Sequence, residues 1–163
     1  INSVILASLE RLMKAGVEIR HQTGSHDLER VLAGYRAHGI DASGVTPFIE
    51  DVAGAYRWAD LVLCRAGATS VAELAVAGKA AVLIPFPYAT HDHQTYNARV
   101  MADRGAAMLL AEKDLAHLDA GGMLINLLHD ADTLRAMSQA ARACARPDAA
   151  SRVADGVLAL CDR

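Results

Sequence analysis

Short apolar runs alternate with helix-spaced segments along the whole sequence, and this alternation leaves the chain few architectures. Val17–His21, Leu61–Cys64, Ala81–Ile84 and Ala106–Leu110 have the length and composition of strands. Val45–Ile49 does too, but Pro47 cannot donate to a ladder, so this strand is very short or lies at an edge. Between the strands, Val4–Leu12, Asp27–His38, Asp51–Trp58, Thr69–Ala77 and Gln94–Arg104 read as helices. Three more, about Leu118–His129, Asp132–Ala143 and Asp148–Leu160, close the chain, with Gly121-Gly122 weakening the start of the first. Gly16, Gly39, Gly78 and Gly105 stand where helices should stop. The pattern predicts an α/β fold: a Rossmann-like parallel sheet with right-handed crossovers and helices on both faces. Ligands in such sheets bind beyond the carboxyl ends of the strands. The turns after His21, Val45, Cys64 and Ile84 all lie there.

Bulk properties narrow the functional classes. A chain of 163 residues fits one domain with a real core. Aromatics are only 4 % of it, which suits a helix-rich α/β domain better than a β-sandwich. With 16 basic and 19 acidic residues the net charge is −3, so no basic excess points to nucleic acid. Cys64, Cys144 and Cys161 form no CxxC pair and read as thiols of a reducing compartment. No apolar run has the length of a membrane span. The sequence begins at Ile1, already inside a helical pattern, and a preceding strand and ligand loop are expected upstream.

Three stretches could carry chemistry. The small-residue turn Arg65–Ser70 opens a helix, and a helix start presents free N–H groups and the positive end of the dipole to a phosphate. Thr69 and Ser70 add hydroxyls, and Glu73, one turn in, could accept bonds from the two hydroxyls of a ribose. On spacing alone, however, Ser70-Val71-Ala72-Glu73 is an ordinary S-x-x-E capping box. The second stretch is His91-Asp92-His93-Gln94. A His-x-His metal site is conceivable, but the spacing is common by chance and no further ligand cluster lies nearby. Asp92 or His93 as a helix cap, with Gln94 aimed at a sugar hydroxyl, is the alternative. The third is Phe48-Ile49-Glu50-Asp51, where an apolar side chain beside free backbone groups could hold the edge of a base, or where Ile49 is core and Asp51 an N-cap. His21-Gln22 reads as a polar turn, and no nucleophile–base arrangement or carboxylate pair stands out.

Taken together, HQTG at His21–Gly24, FIEDVAGAYRWADLVLCRAGATSVAEL at Phe48–Leu74 and PFPYATHDHQTYNA at Pro85–Ala98 resemble the C-terminal, donor-binding half of the MurG-type transferases of glycosyltransferase family 28. The resemblance runs nearly end to end. It implies the C-terminal half of a GT-B enzyme and a single nucleotide-sugar-binding domain over residues 1–163. That domain would lack its first strand and its GGSxGA-type glycine loop, and the N-terminal acceptor domain would be absent. The donor implied is UDP-GlcNAc, and the acceptor is lipid I, reached through the N-terminal domain at the cytoplasmic face of the bacterial inner membrane.

By the same resemblance, Ala68, Thr69, Ser70, Val71, Ala72 and Glu73 form the donor segment. In it Glu73 takes the ribose hydroxyls and the helix start faces the diphosphate. Ile49 contacts uracil through its backbone, and Gln94 reads GlcNAc hydroxyls. Inverting displacement without a bound metal or cofactor is implied, and no catalytic acid or base is assigned within the chain. Two other readings share the features: a non-catalytic UDP-GlcNAc-binding subunit of a two-chain lipid-linked GlcNAc transferase, and another GT-B enzyme such as a UDP-GlcNAc epimerase.

Overall fold

The structure is a computed structural model in which residues 1–161 are described. Its elements follow the alternation expected from the sequence. Helix α1 (Asn2–Lys14) leads to strand β1 (His21–Gln22), α2 (Leu28–Ala37), β2 (Val45–Thr46) and α3 (Val52–Trp58). Strand β3 (Leu61–Cys64), α4 (Ala68–Ala77), β4 (Ala80–Leu83), α5 (His93–Ala102) and β5 (Ala107–Leu109) follow. The chain ends with α6 (Ala120–His129), α7 (Ala131–Cys144) and α8 (Ala149–Cys161).

All strand pairing is parallel, but it falls into two ladders rather than one. β1 pairs with β2, and β3, β4 and β5 form the second ladder in that order. The alternating segment Val17–Arg20 takes no ladder; only His21 and Gln22 pair, opposite Val45 and Thr46. Pro47 follows Thr46 directly, so β2 offers no longer partner. Among the described residues, the edge of β3 away from β4 carries no strand. Its four residues are only half-buried, whereas all four of β4 are buried.

β4 separates the two faces. Ala80 and Val82 point into a core with Ile5, Leu9, Val31, Tyr35, Val45, Leu124 and Leu127, drawn from α1, α2, β2 and α6. Ala81 and Leu83 point the other way, into Leu74, Ala98, Met101 and Ala141 of α4, α5 and α7. A strand with period-two alternation and both faces apolar needs helices on both sides, which is what this one has. Helix α4 ends on Gly78 in the left-handed region (φ 62°), with Lys79 N donating to Leu74 O at 3.0 Å and Gly78 N to Ala75 O at 3.1 Å. A side chain at Gly78 would strike the stem of Arg142, which lies across it.

Candidate functional site

The carboxyl ends of β3 and β4 are in register, Cys64 opposite Leu83, so the turns leaving them open on the same edge. From Cys64 the chain passes through Arg65 and the fully buried Ala66 to Gly67, where α4 starts. Gly67 is the N-cap, extended at φ −62° and ψ 149°, and no side chain caps the helix. The capping box read from Ser70 and Glu73 therefore does not form: Ser70 already lies in the first turn. The first N–H groups of α4 have no side-chain partner among the described residues and face outward beside the exposed Ala68 and Thr69. That is a helix start arranged for an anion.

The turn is held from two sides. Asn97 of α5 donates Nδ2–H to Ala66 O at 3.0 Å. Arg65 Nη1 donates to Pro85 O at 3.1 Å and to Glu112 at 2.6 Å, with its guanidinium 5.4 Å from the Phe86 ring centre. The Arg65 hydrogen bond holds the Glu112 carboxyl below its ordinary range. Deeper in α4, Glu73 Oε2 accepts from the Tyr56 hydroxyl at 3.1 Å. Burial, and then that bond, push the Tyr56 phenol above its ordinary value. Burial also pushes the Cys64 thiol beneath up to about 12, so it stays protonated at neutral pH.

After β4 the chain leaves through Pro85-Phe86-Pro87-Tyr88 and makes a single 3-10 turn, Thr90–Asp92, before α5. His91 (φ 51°) and Asp92 (φ 54°) both sit in the left-handed region, which side chains disfavour. Asp92 is the N-cap of α5 by position, but its carboxylate takes the Thr95 hydroxyl at 2.6 Å and no backbone N–H. His93 Nδ1 lies 2.8 Å from Thr90 O. Gln94 turns back into the loop, and its Oε1 accepts from Phe86 N–H at 2.9 Å. Its amide NH2 is then left to donate outward. Among the described residues no three His, Cys, Asp or Glu side chains gather as a cation site.

Residues 1–153 match the glycosyltransferase family 28 C-terminal domain. The chain belongs to this family. It is 56 % identical over 160 residues to a UDP-N-acetylglucosamine–N-acetylmuramyl-(pentapeptide) pyrophosphoryl-undecaprenol N-acetylglucosamine transferase of Nitratidesulfovibrio vulgaris, covering 98 % of this chain and 44 % of that one. A transferase of the same name from Lawsonia intracellularis is 53 % identical over 160 residues, with the same coverage. The crystal structure of Acinetobacter baumannii MurG superposes with a TM-score of 0.74 at 36 % identity, over 94 % of this chain and 45 % of that one. The chain thus spans less than half the length of these relatives. Within the family the fold is the C-terminal half of a GT-B enzyme, as the resemblance implied.

Against this family frame, the structure gathers most of the residues singled out from sequence. Ala68 to Glu73 form the first turns of α4, and Asn97 and the Phe86 loop bring Gln94 to the same edge. Ile49 lies apart, at the exit of β2. Its N–H donates to Gln22 Oε1 at 2.9 Å, and two residues later Asp51 caps α3 through Gly54 N at 2.7 Å. Phe48 beside it is 63 % exposed, an apolar ring facing solvent. Helix α3 then joins this corner to α4 through Tyr56.

Three residues that shape the site were not singled out from sequence: Arg65, Asn97 and Tyr56. Arg65 had a signal, being the one charge in an otherwise small-residue turn. His21, read as a polar turn, is instead a buried anchor. Asn2 donates Nδ2–H to Thr23 O and to Asp27, so its Oδ1 accepts from His21 Nε2–H at 3.0 Å, and His21 Nδ1 then accepts from Tyr35. Burial lowers the His21 pKa and keeps this neutral tautomer.

Proposed function

We propose that this chain is the donor-binding half of an inverting transferase that moves GlcNAc from UDP-GlcNAc to lipid I, forming lipid II in peptidoglycan synthesis. The observation that carries the reading is the uncapped start of α4, with Glu73 one turn inside it and Gln94 on the neighbouring helix start. The α4 N–H groups receive the diphosphate. The free oxygen of Glu73 takes ribose hydroxyls, the Ile49 carbonyl meets the uracil edge while its N–H is held by Gln22, and the Gln94 NH2 donates to a hydroxyl oxygen of the sugar.

In the transfer, an acceptor hydroxyl attacks the anomeric carbon as the bond to the UDP oxygen breaks. UDP leaves with the electron pair, and the helix start and its dipole stabilise the charge that develops there. The hydroxyl proton passes to a base outside this chain, so none of these residues is a catalytic acid or base. The reading requires no cofactor. It places the whole enzyme on the cytoplasmic face of the membrane as a peripheral protein.

The open edges of β1 and β3 support one further part of the reading. The two parallel ladders, β2-β1 and β3-β4-β5, leave β1 and β3 each with one unpaired edge among the described residues, and a doubly wound sheet would join them through a strand between. A preceding strand and its glycine loop fill that place in the whole protein, and an N-terminal domain supplies the acceptor site. Titration of the chain with UDP-GlcNAc, followed by amide shifts of Ala68–Glu73, tests the site. Shifts clustered there support it; saturation elsewhere, or none at millimolar ligand, overturns it.

A further inference from the structure

Tyr56 spans two environments. Its ring is partly buried and packs against the core formed by Leu74, Leu83, Met101 and their neighbours. Its hydroxyl reaches out of that core to the carboxylate of Glu73, on the exposed face of α4. A surface glutamate free to rotate gives up side-chain freedom when a ligand fixes it. Tyr56 removes part of that freedom before any ligand arrives, because its core-packed ring holds the hydroxyl in place. The phenol donates its single proton to Oε2, and among the described residues Oε1 has no partner.

We propose that Tyr56 is a positioning residue: it holds the Glu73 carboxylate so that Oε1 faces the vicinal diol of the nucleotide's ribose, and it thereby sets the preference of the site for a nucleotide bearing that diol. The proposal rests on the assignment of Glu73 to the ribose. It differs from a general packing role in one respect. The effect of losing the hydroxyl must vanish when the ligand has no diol to read.

The test is equilibrium titration of the chain with UDP and with 2′,3′-dideoxy-UDP, for the wild type, Tyr56→Phe, Glu73→Ala and the double variant. Tyr56→Phe keeps the ring in the core and removes only the hydroxyl. The wild type should favour UDP, and Tyr56→Phe should cut that preference about three- to tenfold while leaving dideoxy-UDP affinity unchanged. On the Glu73→Ala background the same change should have no further effect on UDP, because the two residues act as a unit. Equal weakening for both ligands, or an intact preference in Tyr56→Phe, overturns the role of Tyr56. A wild type without any preference overturns the ribose assignment of Glu73 instead, and a wild type that binds no UDP overturns the nucleotide site as a whole.

Discussion

Helices α4 and α5 begin at the same edge of the same three-stranded ladder, and they begin in different ways. The start of α4 rests on Ala66, which is fully buried, turns through Gly67 without entering the left-handed region, and leaves its first N–H groups without a side-chain cap. The start of α5 is reached through two exposed residues in the left-handed region, and its polar groups are used up locally: Asp92 by Thr95, His93 by Thr90, Gln94 by Phe86. The first arrangement is ready for an anion as it stands. In the second, Gln94 already spends its carbonyl oxygen inside the loop, so only its NH2 is free to report on a ligand. A bare helix start suits the part of a nucleotide sugar that does not vary, the diphosphate; a side-chain amide with its NH2 free suits a hydroxyl of the sugar.

The largest test removes the support under α4. Leu74 is fully buried against Leu83 and Met101. Leu74→Ala should cost about 2–5 kcal/mol in denaturant unfolding. A loss below 1 kcal/mol would mean that α4 is not the firm side of the pair. Next in size, Glu73→Ala should weaken UDP binding about ten- to a hundredfold, the worth of a hydrogen bond to a charged group. Unchanged affinity would leave α4 a helix start with no ribose reader. Smaller again, Gln94→Ala should weaken UDP-GlcNAc about three- to tenfold and UDP hardly at all. Equal losses for the two ligands would show that Gln94 supports the loop rather than reads the sugar.

The contrast between the two helix starts was only half legible in the sequence. β3, α4 and β4 follow from Leu61–Cys64, the Gly67 turn and Ala81–Ile84, because a buried strand is a continuous apolar run whatever surrounds it. The start of α4 was read to within one residue, at Thr69, but the capping box at Ser70 fails for a tertiary reason. S-x-x-E is a local signal, but Ala66, buried beneath the turn and bonded by Asn97, places the N-cap three residues earlier, at Gly67. The same limit hid Tyr56, Arg65 and Asn97: their partners Glu73, Glu112 and Ala66 lie 17, 47 and 31 residues away, and no local period connects them. The split of the sheet was hidden for the opposite reason. Val17-Glu18-Ile19-Arg20 alternates as a strand should, but alternation shows only that one face is buried, and a ladder also needs a neighbour. The left-handed pair His91-Asp92 carries no glycine or asparagine to announce it.

That pair gives the smallest and most discriminating prediction. The chain places glycine at the left-handed end of α4, at Gly78, but uses His91 and Asp92 before α5. Glycine at position 91 relieves the clash that a side chain meets at φ 51°, worth about 1–2 kcal/mol. It also raises the conformational entropy of the unfolded chain, which returns about 0.5–1 kcal/mol. The His91 ring is exposed, so little packing is lost. His91→Gly should therefore raise stability by about 0.5 kcal/mol, about 1–2 °C in thermal midpoint. Gly78→Ala should lower it instead, since the new methyl would meet both a disfavoured backbone and the stem of Arg142. If His91→Gly lowers the midpoint, the His91 side chain stabilises the loop by more than its backbone strain costs, and the two helix starts differ less than their backbones indicate.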